Sequence, residues 1–147
     1  MSPRIGIGAS VFVAAAVFTA CGNREPWQAI NTHLHAVSAE LALEQAIAAQ
    51  HRYSPSDVRV LAGRAELRVI IGDATLAEAD LAARENAATA VVGTAEKLLA
   101  PDGPFAEIQV ISVAIVHPQT LRLGTLPLHT EEVIDFRKGT DGRFSAR

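Results

Sequence analysis

The amino-acid sequence predicts an α+β fold, a two-layer sandwich in which two helices pack on one face of a largely antiparallel sheet of three to four strands. Apolar residues recur at helical spacing in two segments, and they alternate or run together, as they do in strands, in four others. Turn residues separate these segments, so the predicted order of elements is α-β-β-α-β-β. Residues 27–147 are predicted to form a single domain, because a chain of this length can build one core.

The first helix is predicted from about Trp27 to Gln50. An apolar stripe at helical spacing predicts its buried face, which comprises Ile30, Leu34, Val37, Leu41 and Ala48. Residues 54–57, with the sequence SPSD, are typical turn residues and end the helix.

Two short strands are predicted to follow the turn. Val58 and Val60 alternate with polar partners, and a second alternating run extends from residue 65 to residue 71. The alternation changes phase at Ala62-Gly63, which favours a hairpin with strands at 57–61 and 65–71. A single bulged strand is the alternative.

The second helix is predicted over residues 75–100. Thr75-Leu76-Ala77-Glu78 has the pattern of a capping box, in which side chains satisfy free backbone N–H groups at a helix start. The apolar face of the helix predicts that Leu81 faces the sheet and that Arg84 lies on the surface. Pro101 ends the helix.

The last two strands are predicted at residues 105–116 and 131–138. The second half of the first of these is apolar on both faces, which favours a place in the middle of the sheet. Ser112 lies in this run, where a packed hydroxyl is the expected interpretation. Residues 139–144, GTDGRF, are predicted to turn the tail.

The N-terminus has the layout of a secretory signal peptide. A short start with one positive charge at Arg4 precedes an uncharged run from Ile5 to Phe18, and the small residues Thr19 and Ala20 follow. The run is shorter than the roughly 20 apolar residues of a spanning helix. Residues 1–20 are therefore predicted to be a cleaved signal peptide, with a buried core helix as the alternative.

The four residues Phe18-Thr19-Ala20-Cys21 resemble a bacterial lipobox, and this resemblance covers residues 1–21 only. It implies that the chain is cut before Cys21, that this cysteine carries the lipid, and that residues 21–26 form a lipidated tether to the membrane. In such lipoproteins an aspartate after the cysteine commonly retains the protein at the inner membrane. Gly22 stands there, which favours the outer membrane with the domain in the periplasm. A plain signal peptide with a leftover thiol is the alternative.

Charge argues against nucleic acid as a partner. The chain has 13 Lys and Arg against 16 Asp and Glu, and Arg4 is the only charged residue in 1–20, so the mature part has 12 basic against 16 acidic residues. A weakly acidic protein lacks the basic surface that attracts nucleic acid or anionic lipid. Attachment to a membrane is expected through the lipid on Cys21.

Catalytic and metal-binding patterns are weak in this sequence. His33 and His35 would diverge by about 200° on the predicted helix, so they cannot share a metal ion. The sequence has no nucleophile elbow and no phosphate-binding loop, and no cofactor is predicted. We therefore expect a lipid-anchored envelope protein with a binding or accessory-subunit role. An exported hydrolase or metal-dependent enzyme that uses His and Asp or Glu side chains is the alternative.

The connection at residues 117–130 is longer than a usual hairpin loop and rich in leucine. Its leucines are Leu121, Leu123, Leu126 and Leu128. One interpretation is that they fold back to close an end of the sandwich or pair as a small extra hairpin. The other is that they form an exposed patch that docks an envelope protein partner.

Overall fold

The computed structural model describes residues 26–122 and 133–147, with side chains from residue 35 onward. The described residues form four α-helices, which are α1 (Pro26–His51), α2 (Ala74–Ala77), α3 (Leu81–Leu98) and α4 (Pro118–Arg122). They also form five strands, which are β1 (Val58–Ala62), β2 (Glu66–Gly72), β3 (Val110–Val116), β4 (Val133–Lys138) and β5 (Phe144–Ala146). These elements confirm the α+β class, with more strands than the three to four that the sequence predicts.

The strands form one mixed sheet in the order β1-β2-β3-β4-β5. Three neighbouring pairs are antiparallel, and only β2 and β3 run parallel. The crossover between these two strands contains α2 and α3, as a parallel connection requires. The middle position of β3 confirms the prediction from its apolar run, because a strand buried on both faces needs apolar side chains on both.

The hairpin between β1 and β2 is also confirmed. The Gly63 N–H donates to the Glu66 carbonyl at 2.8 Å and closes the turn. Each strand lies one residue later than predicted, and a single 3-10 turn, Pro55–Asp57, leads into β1.

α1 and α3 pack on one face of the sheet and bury the main core there. The sheet contributes alternate residues of β2 and β3 to this core, together with Phe136 of β4. A smaller cluster of Ile70, Ala114 and Val116 lies on the opposite face, where Leu121 of α4 packs on it. The helices therefore sit mainly, but not entirely, on one side of the sheet.

The predicted buried stripe of α1 is wrong at two positions. Val37 is 46% exposed and Leu41 is 52% exposed, whereas Leu43 and Ile47 are buried. Ala48, which belongs to the predicted stripe, is buried as expected. The side chains of Ile30 and Leu34 lie outside the described part of the helix.

The predicted start of the second helix is wrong as well. Thr75 lies inside the single turn of α2, whose N-cap is Asp73, and a second aspartate, Asp80, caps α3. The Asp80 carboxylate accepts the Ala83 N–H at 2.8 Å. Aspartate is among the best N-cap residues, and two of them seven residues apart divide the predicted helix in two.

Leu81, expected to face the sheet, is the first residue of α3 and is 55% exposed. The buried face of α3 consists instead of Ala88, Val91, Val92 and Ala95. Arg84, expected on the surface, is half-buried. The first turn of a helix can extend past the elements it packs on, and its apolar residue then remains in solvent.

The strand predicted at residues 105–116 begins later than predicted, and both of the last predicted strands end where predicted, at Val116 and Lys138. The third strand starts at Val110, because residues 101–107 form turns in which Phe105 is nevertheless buried. The tail, predicted to turn, does so at residues 139–143 and then adds β5 to the sheet. The connection before β4 contains α4, and its residues 123–132 lie outside the described part of the chain.

Candidate functional site

An apolar groove of about 170 Å³ lies between α1, the end of α3 and the turns that follow α3. Its lining residues are Ala39, Ala42, Leu43, Leu98, Ala100, Pro104 and Phe105. The alanines of α1 leave space because their side chains are short, and Leu98 is half exposed at the rim. A lining of this composition can contact an apolar group, but it offers no side chain for proton transfer or metal binding.

The turns after α3 shape the groove. The Gly103 N–H donates to the Ala100 carbonyl at 3.0 Å, and a Cβ on Gly103 would lie 3.2 Å from that oxygen. The resulting tight turn carries Phe105 inward, where its ring is 7% exposed and packs with the main core. Glycine at position 103 thus allows the tight turn that brings the Phe105 ring to the floor of the groove.

A second concavity of about 320 Å³ lies on the other side of the same turns, towards β4 and β5. Phe105 and Ala100 contribute to both concavities. The second one also contains Glu96 and Lys138, whose ammonium lies 6.0 Å from the centre of the Phe144 ring. Its lining is therefore mixed, whereas that of the first groove is apolar throughout.

Polar side chains gather where the parallel strands β2 and β3 end. Asp73 follows β2, but its carboxylate accepts the Leu76 N–H at 3.0 Å and so caps α2. His117 follows β3, and its Nε2 lies 3.9 Å from Oε1 of Glu78. Both of these side chains are more than half exposed, so their interaction is screened by solvent. This end of the two strands carries a helix cap and a contact between two exposed side chains.

His51 and Tyr53 form a small cluster at the end of α1. The Nε2 of His51 lies 2.9 Å from Oγ1 of Thr94 on α3, and the two aromatic rings stack with centres 6.1 Å apart. Burial lowers the pKa of His51. Burial, followed by the negative charge of Asp73, raises the pKa of Tyr53. Both shifts favour the neutral side chains, which suits a contact that joins the two helices.

Ser112 is the buried polar side chain of β3, as the sequence indicates. Its Oγ donates to Oδ1 of Asp135 on the neighbouring strand at 2.7 Å. The two residues are directly opposite in the register of β3 and β4. The hydroxyl therefore has a partner across the sheet, as expected of a packed polar group.

The predicted site residues are divided between described and undescribed segments. Cys21 lies outside the described residues, as do Leu123, Leu126 and Leu128. Leu121 is half-buried and packs on Ile70, Ala114 and Val116, which agrees with a structural role for this leucine. Docking of a partner by the other three leucines stays a prediction.

Among the side chains of residues 35–122 and 133–147, no three of His, Cys, Asp or Glu come close enough to hold a metal ion. No helix in residues 26–122 and 133–147 combines the length and apolar character needed to cross a membrane. The chain matches none of the protein families, curated proteins or solved structures with which it was compared.

The sequence does not reveal the apolar groove. Its two walls come from residues 39–43 and 98–105, which are more than 50 residues apart in the chain. The one local signal is the pair Pro101 and Gly103 after the second helix, which indicates a turn but not what the turn faces.

Proposed function

We propose that the chain is a lipid-anchored protein of the bacterial envelope that binds a partner protein and has no catalytic role. The observation that carries the proposal is the lipobox-like Phe18-Thr19-Ala20-Cys21 after the uncharged run 5–18. A cysteine with more than one acyl chain anchors a domain stably. Gly22, in the position after the cysteine, supports the outer membrane as its location.

The distance between the anchor and the domain supports a role close to the membrane surface. α1 begins at Pro26, so only residues 22–25 separate it from Cys21. Four residues span at most about 14 Å when fully extended. The anchored cysteine would thus hold the start of α1 near the lipid headgroups, where another envelope protein can be reached.

The apolar groove supports binding as the activity of the domain. A dry apolar cavity of about 150 Å³ holds a ring the size of benzene. The groove of about 170 Å³ is therefore suited to one aliphatic or aromatic side chain of an envelope protein partner. Leu98 at its rim would add contact area around such a side chain.

The alternative, an exported hydrolase or metal-dependent enzyme, would have to use His and Asp or Glu side chains. His117 and Glu78 are such a pair, but they are 3.9 Å apart and largely exposed. An effective general base is usually held close to its partner in a site that excludes water. This exposed arrangement therefore supports the binding role over the enzymatic one.

Lipidation is tested by replacing the cysteine. In a bacterial host, Cys21→Ser is expected to abolish metabolic labelling with a fatty acid and to block maturation, because the thiol that forms the thioether is lost. Persistent labelling of the variant would contradict the proposal. A plain signal peptide predicts no labelling of either protein.

Gly22→Asp serves as the matched control. This variant keeps the thiol, so it should be labelled like the unaltered chain. By the sorting rule of the lipoproteins that the segment resembles, it should also move from the outer to the inner membrane fraction. An unlabelled Gly22→Asp variant would show that the labelling assay responds to any change near the cysteine.

A further inference from the structure

Two glutamates of α1 bind the outer edge of β1. The Val60 N–H donates to Oε1 of Glu44 at 2.9 Å, and the Ala62 N–H donates to Oε1 of Glu40 at 2.7 Å. Among the described strands β1 stands first in the sheet and pairs with β2 alone, so these N–H groups belong to an edge that another strand could occupy. The carboxylates occupy the positions that the carbonyl groups of such a strand would take.

The spacing of the two glutamates matches the spacing of the two N–H groups. Glu40 and Glu44 are four residues apart on a helix, which corresponds to about 6 Å along its axis. Val60 and Ala62 are two residues apart on a strand, which corresponds to about 6.6 Å. α1 runs antiparallel to β1, so the earlier glutamate meets the later strand residue. The match allows both bonds to form without distortion of either element.

The opposite edge of the sheet has the same kind of contact. The Phe144 N–H of β5 donates to Oε1 of Glu96 on α3 at 2.6 Å. Each of the two long helices thus supplies a carboxylate to the edge nearest to it. β5 has three residues and β1 has five, so β1 is the edge with more backbone to offer an added strand.

We propose that Glu40 and Glu44 keep the β1 edge closed against a second copy of this chain, and that without their carboxylates two β1 edges pair with each other. Two identical edges that pair antiparallel are related by a two-fold axis, so the surface is complementary to itself. Val37 and Leu41 are each three residues before one of the glutamates, so they lie beside them on α1. Both are about half exposed, and they would flank the new strand pair. The proposal does not depend on lipidation.

The test compares three variants of the full chain in a density-matched detergent. Glu40→Ala/Glu44→Ala removes both acceptors. Glu40→Gln/Glu44→Gln keeps a side-chain carbonyl at each position and replaces the second oxygen with an NH2 group, so the charge is lost. Gln45→Ala changes an exposed residue of the same helix and serves as the control. The readouts are the average mass by sedimentation equilibrium and amide hydrogen exchange at Val60 and Ala62.

The Glu40→Ala/Glu44→Ala variant, here called the alanine pair, is expected to self-associate. Its average mass should rise at concentrations at which the average mass of the unaltered chain stays constant. At low concentration, its amides at Val60 and Ala62 should exchange about tenfold to a hundredfold faster, because each loses a bond to a charged acceptor. The Glu40→Gln/Glu44→Gln variant and the Gln45→Ala control should have an average mass and exchange rates close to those of the unaltered chain. A folded alanine pair with unchanged mass would overturn the proposal.

A further substitution tests whether the self-association occurs through the β1 edge. Leu61 is an exposed residue of β1, and a lysine on an edge strand discourages pairing. Leu61→Lys should therefore reverse the association of the alanine pair, and association that persists would overturn the assignment to this edge. If the alanine pair does not fold, Glu40→Ala alone uncovers the Ala62 N–H, and an unchanged mass of that folded variant also overturns the proposal.

Discussion

Neighbouring residues of α1 differ in burial in a way that hydrophobicity alone does not describe. The side that packs on the domain carries Leu43 and Ile47 in the core, together with Glu40 and Glu44 against β1. Val37 and Leu41 lie beside these glutamates on α1, yet both are about half exposed. A carboxylate with a backbone N–H partner can lie on a packed face, because the hydrogen bond compensates for lost hydration. The buried side of this helix is therefore defined by its partners, not by its apolar residues alone.

α3 shows the same contrast along its length. Val91, in the middle of the helix, is fully buried, whereas Leu81 in the first turn is 55% exposed. Both are large aliphatic residues of one continuous helix. Their difference comes from position, since α1 and the sheet cover the middle of α3 but not its first residue. The contrast within each helix can be tested by substitutions.

The largest change in the free energy of unfolding is expected from a substitution in α1. Ile47→Ala should lower the free energy of unfolding by about 2–5 kcal/mol, because it removes a fully buried side chain and leaves a cavity. Leu41→Ala should change it by no more than about 0.5 kcal/mol, as at an ordinary surface site. Urea denaturation measures both values. Equal losses at the two positions would mean that Leu41 is covered as completely as Ile47.

A smaller effect is expected in α3. Val91→Ala should cost about 1.5–3 kcal/mol, the range for burial of an aliphatic side chain. Leu81→Ala should stay within about 0.5 kcal/mol of the unaltered chain, since the side chain is already in solvent. The same denaturation experiment applies. A loss at Leu81 as large as that at Val91 would show that the first turn of α3 is covered.

The smallest effect is expected from titration of His51, which joins the packed ends of the two helices. Burial lowers its pKa in the folded state, so the unfolded chain binds the proton first as the pH falls through about 6.5. The free energy of unfolding should therefore decrease as the pH falls below about 6.5, until the folded-state pKa is passed. Denaturation at pH 7.5 and at pH 5.5 measures the change.

His51→Gln should remove this part of the pH dependence, and His35→Gln, at an exposed position of the same helix, should retain it. If both variants keep the full dependence, the proton that destabilises the fold binds elsewhere. If both lose it, the effect is not specific to the packed end of α1.

Local patterns predict several elements well. The phase change at Ala62-Gly63 predicts the hairpin, and the apolar run of β3 predicts its place in the middle of the sheet. Each depends on alternation or turn chemistry within about ten residues. The start of α3 was wrongly predicted because a capping-box pattern at Thr75 precedes the actual cap, Asp80, by five residues. Thr75 lies inside α2, and the capping-box pattern does not reveal that Asp73 and Asp80 cap two separate helices.

Contacts between distant segments explain what local patterns miss. β5 has three residues, and one of its N–H groups is bound by Glu96, 48 positions earlier in the chain. The apolar groove needs α1 to lie beside the turns after α3. The hydrogen bonds at the edge of β1 need Glu44 and Glu40 of α1, which precede their partners by 16 and 22 residues. None of these contacts leaves a periodic signal.

The sequence by itself determined the α+β class, the hairpin, the central strand and the residues that resemble a lipobox, because each depends on neighbours within one short segment. Tertiary structure decided which sides of α1 and α3 are buried, where the apolar groove lies and how both edges of the sheet are occupied. The physical reason is that burial and hydrogen-bond satisfaction belong to pairs of surfaces. The glutamates at positions 40 and 44 are surface residues by their chemistry, and they become part of the packed structure only where β1 presents its N–H groups to them.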